Sequence, residues 1–535
     1  MSEIPSTQYA IQIVGAEEFR VNTEKEVHKV GPHQMMLEVE ACGICFSDTK
    51  LLHQFSTHPR KSEVVSGVDA DALKDIPSYC PGDQPTVPGH EPVARVIEVG
   101  DQVTHFSVGD RVLVQADWKH LRTAKSNGAF GYNFEGALQE YVVVDERCVV
   151  SPSGEEFLIH VSDGPSAAAV GLIEPWATVE GSYAWKERNH LADGGRLLVV
   201  GDGDVDALTQ AHAPAEIVRI GAGEVSTVEG QEFDDIIYFG SDAETIEKIA
   251  VLIGTRGVLC VVLGGGTIER KVSLDIGRVH YDFTRFCGTT GNDPAEGYAW
   301  IPSNGDLREG DKIGIIGAAG PMGQMHTMRA VTSGVKGISV VGTDLSDERL
   351  AGLKSVVGPV AQKNGVPLDI VNTTTTPLEP GYTHITVLVP VPALVSQAVD
   401  LAAEDSILNA FAGIPAGTFG DFDLQGIIER RIFMLGTSGS DVSDMRTVLH
   451  KIEEGIIDTT ISLFAITGMA GFGDAINAVI NRTSGGKIMV FPKLHSLGLT
   501  PLSELAEKLP EVAAKLDDDG LWTKEAEEAL MASGL

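Results

Sequence analysis

Positive charge is what this sequence most lacks: 40 Lys and Arg stand against 75 Asp and Glu, a formal net charge of −35 over 535 residues. That imbalance excludes nucleic acid and anionic membrane as partners, because both need a basic face. It describes a well-solvated acidic surface, with adaptation to a salty medium as the other reading. Cysteine is also scarce, at six residues. So few in so long a chain exclude a disulfide framework and point to a reducing cytoplasm. No run of about 18 apolar residues exists to span a membrane. The opening Met1-Ser2-Glu3-Ile4-Pro5 lacks the basic start and apolar core of a secretory signal. The expected location is cytoplasmic. Hydrophobic residues at 43% and aromatics at 6% are ordinary for a globular chain. At ~150 residues per domain, the length predicts roughly three or four domains.

What is present is chemically specific. Gly43-Ile44-Cys45-Phe46-Ser47-Asp48, Pro88-Gly89-His90-Glu91 and Leu172-Ile173-Glu174-Pro175 offer a thiolate, an imidazole and a carboxylate from three separate stretches. Such a set suits a catalytic Zn²⁺ that keeps one position open. Taken singly, each has a plainer explanation: a buried thiol, a hydrogen-bonded loop histidine, an exposed acid. Cys42 and Cys45 form a lone C-x-x-C with no second pair to complete a zinc ribbon. Cys42 reads as a packed thiol, with a redox pair as the alternative.

Downstream, Lys312–Ile316 reads as a strand leading into Gly317-Ala318-Ala319-Gly320-Pro321-Met322-Gly323. A helical stretch from Met322 to about Thr332 follows, and then a second strand, 338–344, ending in Asp344. Strand, glycine loop, helix, strand and acid in that order describe a dinucleotide site. The glycines permit the turn and close backbone approach, and the acid is placed to accept from a ribose hydroxyl. Asp344 favours NAD over NADP, because it would repel a 2′-phosphate. Ala318 stands at the usual first glycine, where Gly317 before it can compensate.

The three metal segments and this loop resemble the zinc-dependent medium-chain dehydrogenase/reductase superfamily, which includes alcohol, sorbitol and threonine dehydrogenases. The resemblance implies a GroES-like, β-rich catalytic domain and one catalytic Zn²⁺ held by Cys45, His90 and Glu174. It also implies Glu91 as a second carboxylate near the metal, Ser47 as the start of a proton relay, and Asp48 as the acid that orients the histidine. Lys50 and His53 are either later relay members or incidental. Many members carry a four-cysteine lobe after the strand that here reads Gly109-Asp110-Arg111-Val112. Gln115 to Tyr141 contains no cysteine, so a single metal is expected. The polar stretch 53–84 reads as an insertion that either shapes the substrate pocket or is a tolerated loop.

The middle of the chain repeats. Leu191–Gly201 parallels Leu307–Gly317, and Phe286–Gly291 parallels Met434–Gly439. Short apolar runs between helix-like stretches suggest two consecutive Rossmann-like doubly wound units. Gly201 to Gly288 spans 87 positions and Gly317 to Gly436 spans 119, so the first copy is 32 residues shorter. It also places Asp202, Asp204 and Asp206 where a pyrophosphate would sit, and reads as a degenerate unit that packs or oligomerises. The fold class expected is therefore α/β. Its parts are a catalytic domain over 1–185, the degenerate unit over 186–295 and the NAD-binding domain over 296–470. A return segment over 471–495 and a helical tail over 496–535 complete it.

The function these readings imply is a zinc-dependent NAD(H) oxidoreductase. Its substrate would be a small secondary alcohol or ketone; Glu174 at the third-ligand position, as in sorbitol-type members, tilts this toward a polyol, sugar or sugar phosphate. A zinc/NAD lyase or epimerase with transient oxidation, and a non-catalytic scaffold, are the alternatives. The family's habit suggests a homodimer or homotetramer.

Overall fold

The computed structural model describes residues 4–535, so Met1-Ser2-Glu3 lies outside it. The chain divides into two compact units: residues up to Ala177 together with Ser440–Leu535, and Thr178–Gly439. The sequence reading placed divisions near 185 and 470. The second lies earlier because Leu463–Thr467 pairs with Lys487–Val490 and so belongs to the first unit's sheet. No helix among the described residues is long and apolar enough to cross a membrane.

The first unit is built on an eight-stranded sheet. Its central strand, Gln34–Ile44, pairs antiparallel with Glu91–Val99 on one side and Lys487–Val490 on the other. Nearly every position of that strand is buried. Only Glu38 and Glu40 break its apolar run, which is how a strand covered on both faces should read.

The insertion is not a loose loop. Val64–Ser66 pairs with Asp117–Thr123, which in turn pairs with Asn127–Ala129. Trp118 packs on Phe134 with ring centroids 4.8 Å apart, and Tyr79 packs on the same ring at 4.9 Å. Aromatic packing thus fills the cysteine-free stretch. The tail also packs into this unit: Trp522 is buried, and Glu527 accepts the Ala167 and Ala168 amides at 2.6 and 2.9 Å.

The second unit contains two parallel sheets. In the six-stranded one, Lys312–Ile316 lies between Ser339–Asp344 and Tyr382–Val387. With Leu368–Asn372, Ala402–Asn409 and Phe433–Leu435 the order is that of a complete doubly wound sheet. The other has five strands: Glu216–Ile220, Arg196–Val200, Phe233–Phe239, Ile253–Val262 and Arg285–Thr289. Where the longer copy has the helix Asp347–Lys363 and the strand Leu368–Asn372, it has only the seven-residue 3-10 helix Ala222–Val228. The residues missing from the shorter repeat are therefore those of the binding half.

Candidate active site

Cys45 closes the central strand and caps the helix Phe46–Gln54. His90 sits just before the neighbouring strand, and Glu91 opens it, facing Gly43 in the register. A Cβ at Gly43 would lie 2.1 Å from Glu91 Oε2, so a larger residue there would push that carboxylate from its place. Gly89 has φ +97°, and a Cβ on it would stand 2.7 Å from Leu138 Cγ. These two glycines let the motif segments meet.

One donor atom each from Cys45, His90 and Glu91 lies within 4.8 Å of the other two. Glu174, expected as the third ligand, stands in the first turn of the helix Ile173–Ala184, outside that three-residue group. It nonetheless borders the site. Burial and then the Glu91 carboxylate push its carboxyl up to about 7, against the pull of His90 and Lys487. The structure thus places Glu91, expected as a carboxylate near the metal, beside Cys45 and His90.

Asp48 ties the two ligand segments together. Its Oδ2 accepts the Cys45 amide at 2.8 Å and its Oδ1 accepts the Gly89 amide at 3.3 Å. Oδ1 also lies 3.2 Å from His90 Nδ1, an ion-pair distance at which that buried nitrogen still lacks an aligned hydrogen bond. Ser47 Oγ is 2.9 Å from His90 Nε2. Burial opposes charge on His90, yet Tyr132 and Asp48 raise its pKa well above the ordinary range.

Sequence reasoning missed several contributors. Lys487 Nζ donates to Glu91 Oε1 at 2.6 Å, while Glu91 Oε2 is buried without a partner. Burial disfavours the ammonium, but Glu91 and then Cys45 outweigh it and hold Lys487 charged. The only signal was one lysine at the head of an otherwise apolar strand. From the insertion and the aromatic region come His58, Arg60 and Tyr132. The Tyr132 ring lies 5.4 Å from the His90 ring and 5.1 Å from both the His58 ring and the Arg60 guanidinium. Arg60 is paired with Asp117 at 2.8 Å. Burial, then Arg60, pushes His58 down to about 4. His53 instead pairs with Glu17 at the surface, and the Lys50 ammonium lies 5.9 Å from the Phe46 ring.

A thiolate, an imidazole and buried carboxylates, with an orphaned carboxylate oxygen among them, form a donor set that fits zinc.

In the second unit, Gly317 takes φ +86° and carries the turn. Ala318 fits because Gly342 faces it, a Cβ there lying 3.1 Å from that of Ala318. Gly320 caps the helix Pro321–Thr332 without a side-chain bond, leaving its first amides open, and Met322 lies in that first turn. Gly323 must be glycine, since a Cβ would stand 2.4 Å from Gly317 O. Asp344 ends its strand and accepts from the Leu345 amide at 2.8 Å. Its Oδ2 lies 3.4 Å from Arg349 Nη2, a partner reaching back from the next helix. The geometry fits a dinucleotide, with backbone amides for phosphate and an acid for ribose.

Residues 31–153 match the alcohol dehydrogenase GroES-like domain family. Mannitol-1-phosphate 5-dehydrogenase of Aliivibrio fischeri is 28% identical over 247 residues, covering 42% of this chain and 57% of that protein. L-sorbose 1-phosphate reductase of Klebsiella pneumoniae is 31% identical over 154 residues, 28% of this chain and 37% of that protein. The chain thus spans little more than half the length of the first and about a third of the second. The crystal structure of 2R,3R-butanediol dehydrogenase from Bacillus subtilis shares the fold, with TM-score 0.52 and 16% identity over 91% of this chain and 100% of that one. Residues 31–153 belong to the alcohol dehydrogenase GroES-like family, and the motifs, sheets and relatives together support an alcohol/sorbitol dehydrogenase-like protein of the medium-chain dehydrogenase/reductase type.

Proposed function

We propose that this protein is a zinc-dependent NAD(H) oxidoreductase that interconverts a secondary alcohol, namely a polyol, sugar or sugar phosphate, and its ketone. The observation that carries this reading is the convergence of Cys45, His90 and Glu91 within 4.8 Å, with the buried Glu174 carboxyl feeling the charges of Glu91 and His90. Cys45, His90 and Glu174 would hold the zinc, with Glu91 as the neighbouring carboxylate. Bound there, zinc supplies Lewis-acid polarisation of the substrate oxygen. NAD supplies the hydride acceptor, and the protein aligns it.

The chain's own residues do the rest. Ser47 Oγ would accept the proton of the substrate hydroxyl as it releases its own towards solvent, being half-exposed. Asp48 fixes the His90 ring and the Cys45 backbone in one arrangement. Lys487 offsets the charge of Glu91, so that two acids can stand beside one thiolate. His58, Arg60 and Tyr132 surround the same site with hydrogen-bond donors, which suits a substrate rich in hydroxyl or phosphate oxygens. The sugar-phosphate names of two relatives support that class.

The test is a screen of alcohols, polyols and sugar phosphates for NAD⁺ reduction by metal-replete protein, beside Cys45→Ser. The expected result is turnover by the wild type, with metal and activity lost together in the variant. An active, metal-free Cys45→Ser protein would sink the assignment. Substrate turnover without net NADH would favour the lyase or epimerase reading.

A further inference from the structure

The first, truncated Rossmann-like copy carries a second group of metal-binding side chains, remote in sequence from Cys45 and His90. His190 and Asp193 lie in the turn that leads into Arg196–Val200. His212 ends the six-residue helix Asp206–Ala211. Backbone bonds hold these two connections side by side: the Gly194 amide donates to Ala213 O at 2.9 Å, and the Ala215 amide to Gly195 O at 2.8 Å.

On this frame the imidazoles of His190 and His212 stack, with centroids 4.1 Å apart and planes 14° from parallel. One donor atom from each of His190, Asp193 and His212 lies within 4.8 Å of the other two. An outer contact sets the His190 tautomer. His190 Nδ1 lies 2.8 Å from Leu191 O, which can only accept, so that nitrogen carries the proton and Nε2 keeps a lone pair. His212 Nδ1 lies 3.2 Å from Asp193 Oδ1, so these two donor atoms already face each other, as an ion held between them would require. A backbone carbonyl behind a histidine, as at His190, is a usual means of aiming imidazole at a metal.

We propose that His190, Asp193 and His212 form a binding site for a divalent transition-metal ion of the zinc type, structural rather than catalytic. Two imidazoles and one carboxylate select zinc, cobalt, nickel or copper over magnesium or calcium, which prefer all-oxygen shells. The site is half-exposed, so solvent can complete the coordination. The net charge of −35 raises the local concentration of cations. The location gives the ion a task. The helix Asp206–Ala211 fully buries none of its residues, and Leu208 is its one side chain packed against the neighbouring core. An ion joining His212 to His190 and Asp193 staples that helix to the turn before Arg196–Val200. The sequence reading expected a single metal per chain, from three matching ligand segments and a lobe without cysteine; this site would be a second, which that reading did not include.

The test is titration of the metal-stripped full-length chain with Zn²⁺ against a chromophoric chelator, in wild type, His212→Gln, Asp193→Asn and Cys45→Ser. The wild type is expected to take two equivalents and Cys45→Ser to keep one. His212→Gln should lose one, and Asp193→Asn should bind that equivalent at least tenfold more weakly. Amide exchange over residues 190–215 should slow when Zn²⁺ is added to Cys45→Ser, but not when it is added to His212→Gln. Equal stoichiometry in wild type and His212→Gln would overturn the proposal, as would exchange over 190–215 that ignores zinc. Because His212→Gln leaves Cys45 and His90 intact, failure here is separable from failure of the dehydrogenase reading.

Discussion

Asp48 shows how much one buried side chain can control. It accepts from the backbone of Cys45 and Gly89 and faces His90, so it sets the spacing between thiolate and imidazole. Replacing it with Asn keeps one acceptor and loses the charge. Zinc affinity should fall roughly 10–100-fold, measured by chelator competition; unchanged affinity would mean that other groups orient His90. Lys487 gives a second test at this scale. Lys487→Met would leave Glu91 buried and unpaired, at a cost of about 3–5 kcal/mol in metal-free protein. Adding Glu91→Gln should restore most of the loss in urea unfolding, because a neutral amide no longer needs the ammonium. Cys45, Ser47, Asp48 and His90 were legible in the sequence because each motif is a strand end meeting a turn, with its chemistry written within a few positions. Lys487, Tyr132, Arg60 and His58 were not. Lys487 reaches the site by sheet pairing, on a strand 396 positions away from Glu91, and Tyr132, Arg60 and His58 reach it by the packing of the insertion, neither of which local spacing encodes.

At the scale of elements, the strands of the complete Rossmann-like sheet were the most readable parts. Lys312–Ile316 is as expected, since a short apolar run between a glycine turn and a charged turn has few other ways to fold. The insertion was less so: its pairing partner, Asp117–Thr123, lies beyond two intervening strands, and neither segment announces the other. The glycine loop makes the sharpest element-level prediction. Gly323→Ala would place a Cβ 2.4 Å from Gly317 O and 2.5 Å from the Ala318 backbone, driving the helix Pro321–Thr332 away from its strand. Dinucleotide affinity should drop at least about tenfold, since phosphate binding needs close backbone approach; calorimetric titration checks it. Cofactor choice depends on the neighbouring strand end. On the proposed function Asp344 would favour NAD, while Arg349 already pairs with it. Wild-type kcat/KM is therefore expected to be higher with NAD, and Asp344→Ala should narrow the gap by freeing Arg349 for a 2′-phosphate. A wild type that prefers NADP would overturn the assignment.

Within the second unit, the two copies are joined in a way that gives the first a structural role. Val272–Asp275 of the first copy pairs antiparallel with Phe419–Phe422 of the second, and these are equivalent segments of the repeat. Equivalent strands meeting antiparallel is the arrangement a two-fold axis produces between identical subunits. One apolar core runs through both sheets, taking Leu198, Leu259 and Phe286 from the first and Ile385, Leu408 and Met434 from the second. The first copy is thus held by its packing. Its own loop opens on a cleft of about 550 Å³ lined by Asp202, Asp204 and Glu224, with Arg219 donating to Gly203 O at 3.2 Å. Carboxylates there repel a pyrophosphate, and the six-residue helix behind them offers little dipole to compensate. One dinucleotide per chain is therefore expected by calorimetry. Deleting residues 196–289 should expose the shared core and give aggregated or unfolded protein, rather than a folded chain with weaker NAD affinity. Two dinucleotides per chain, one of them lost on changing Asp202 and Asp204, would refute this division of labour. So would a soluble, folded deletion protein with intact secondary structure, because the shared core would then not be what retains the first copy.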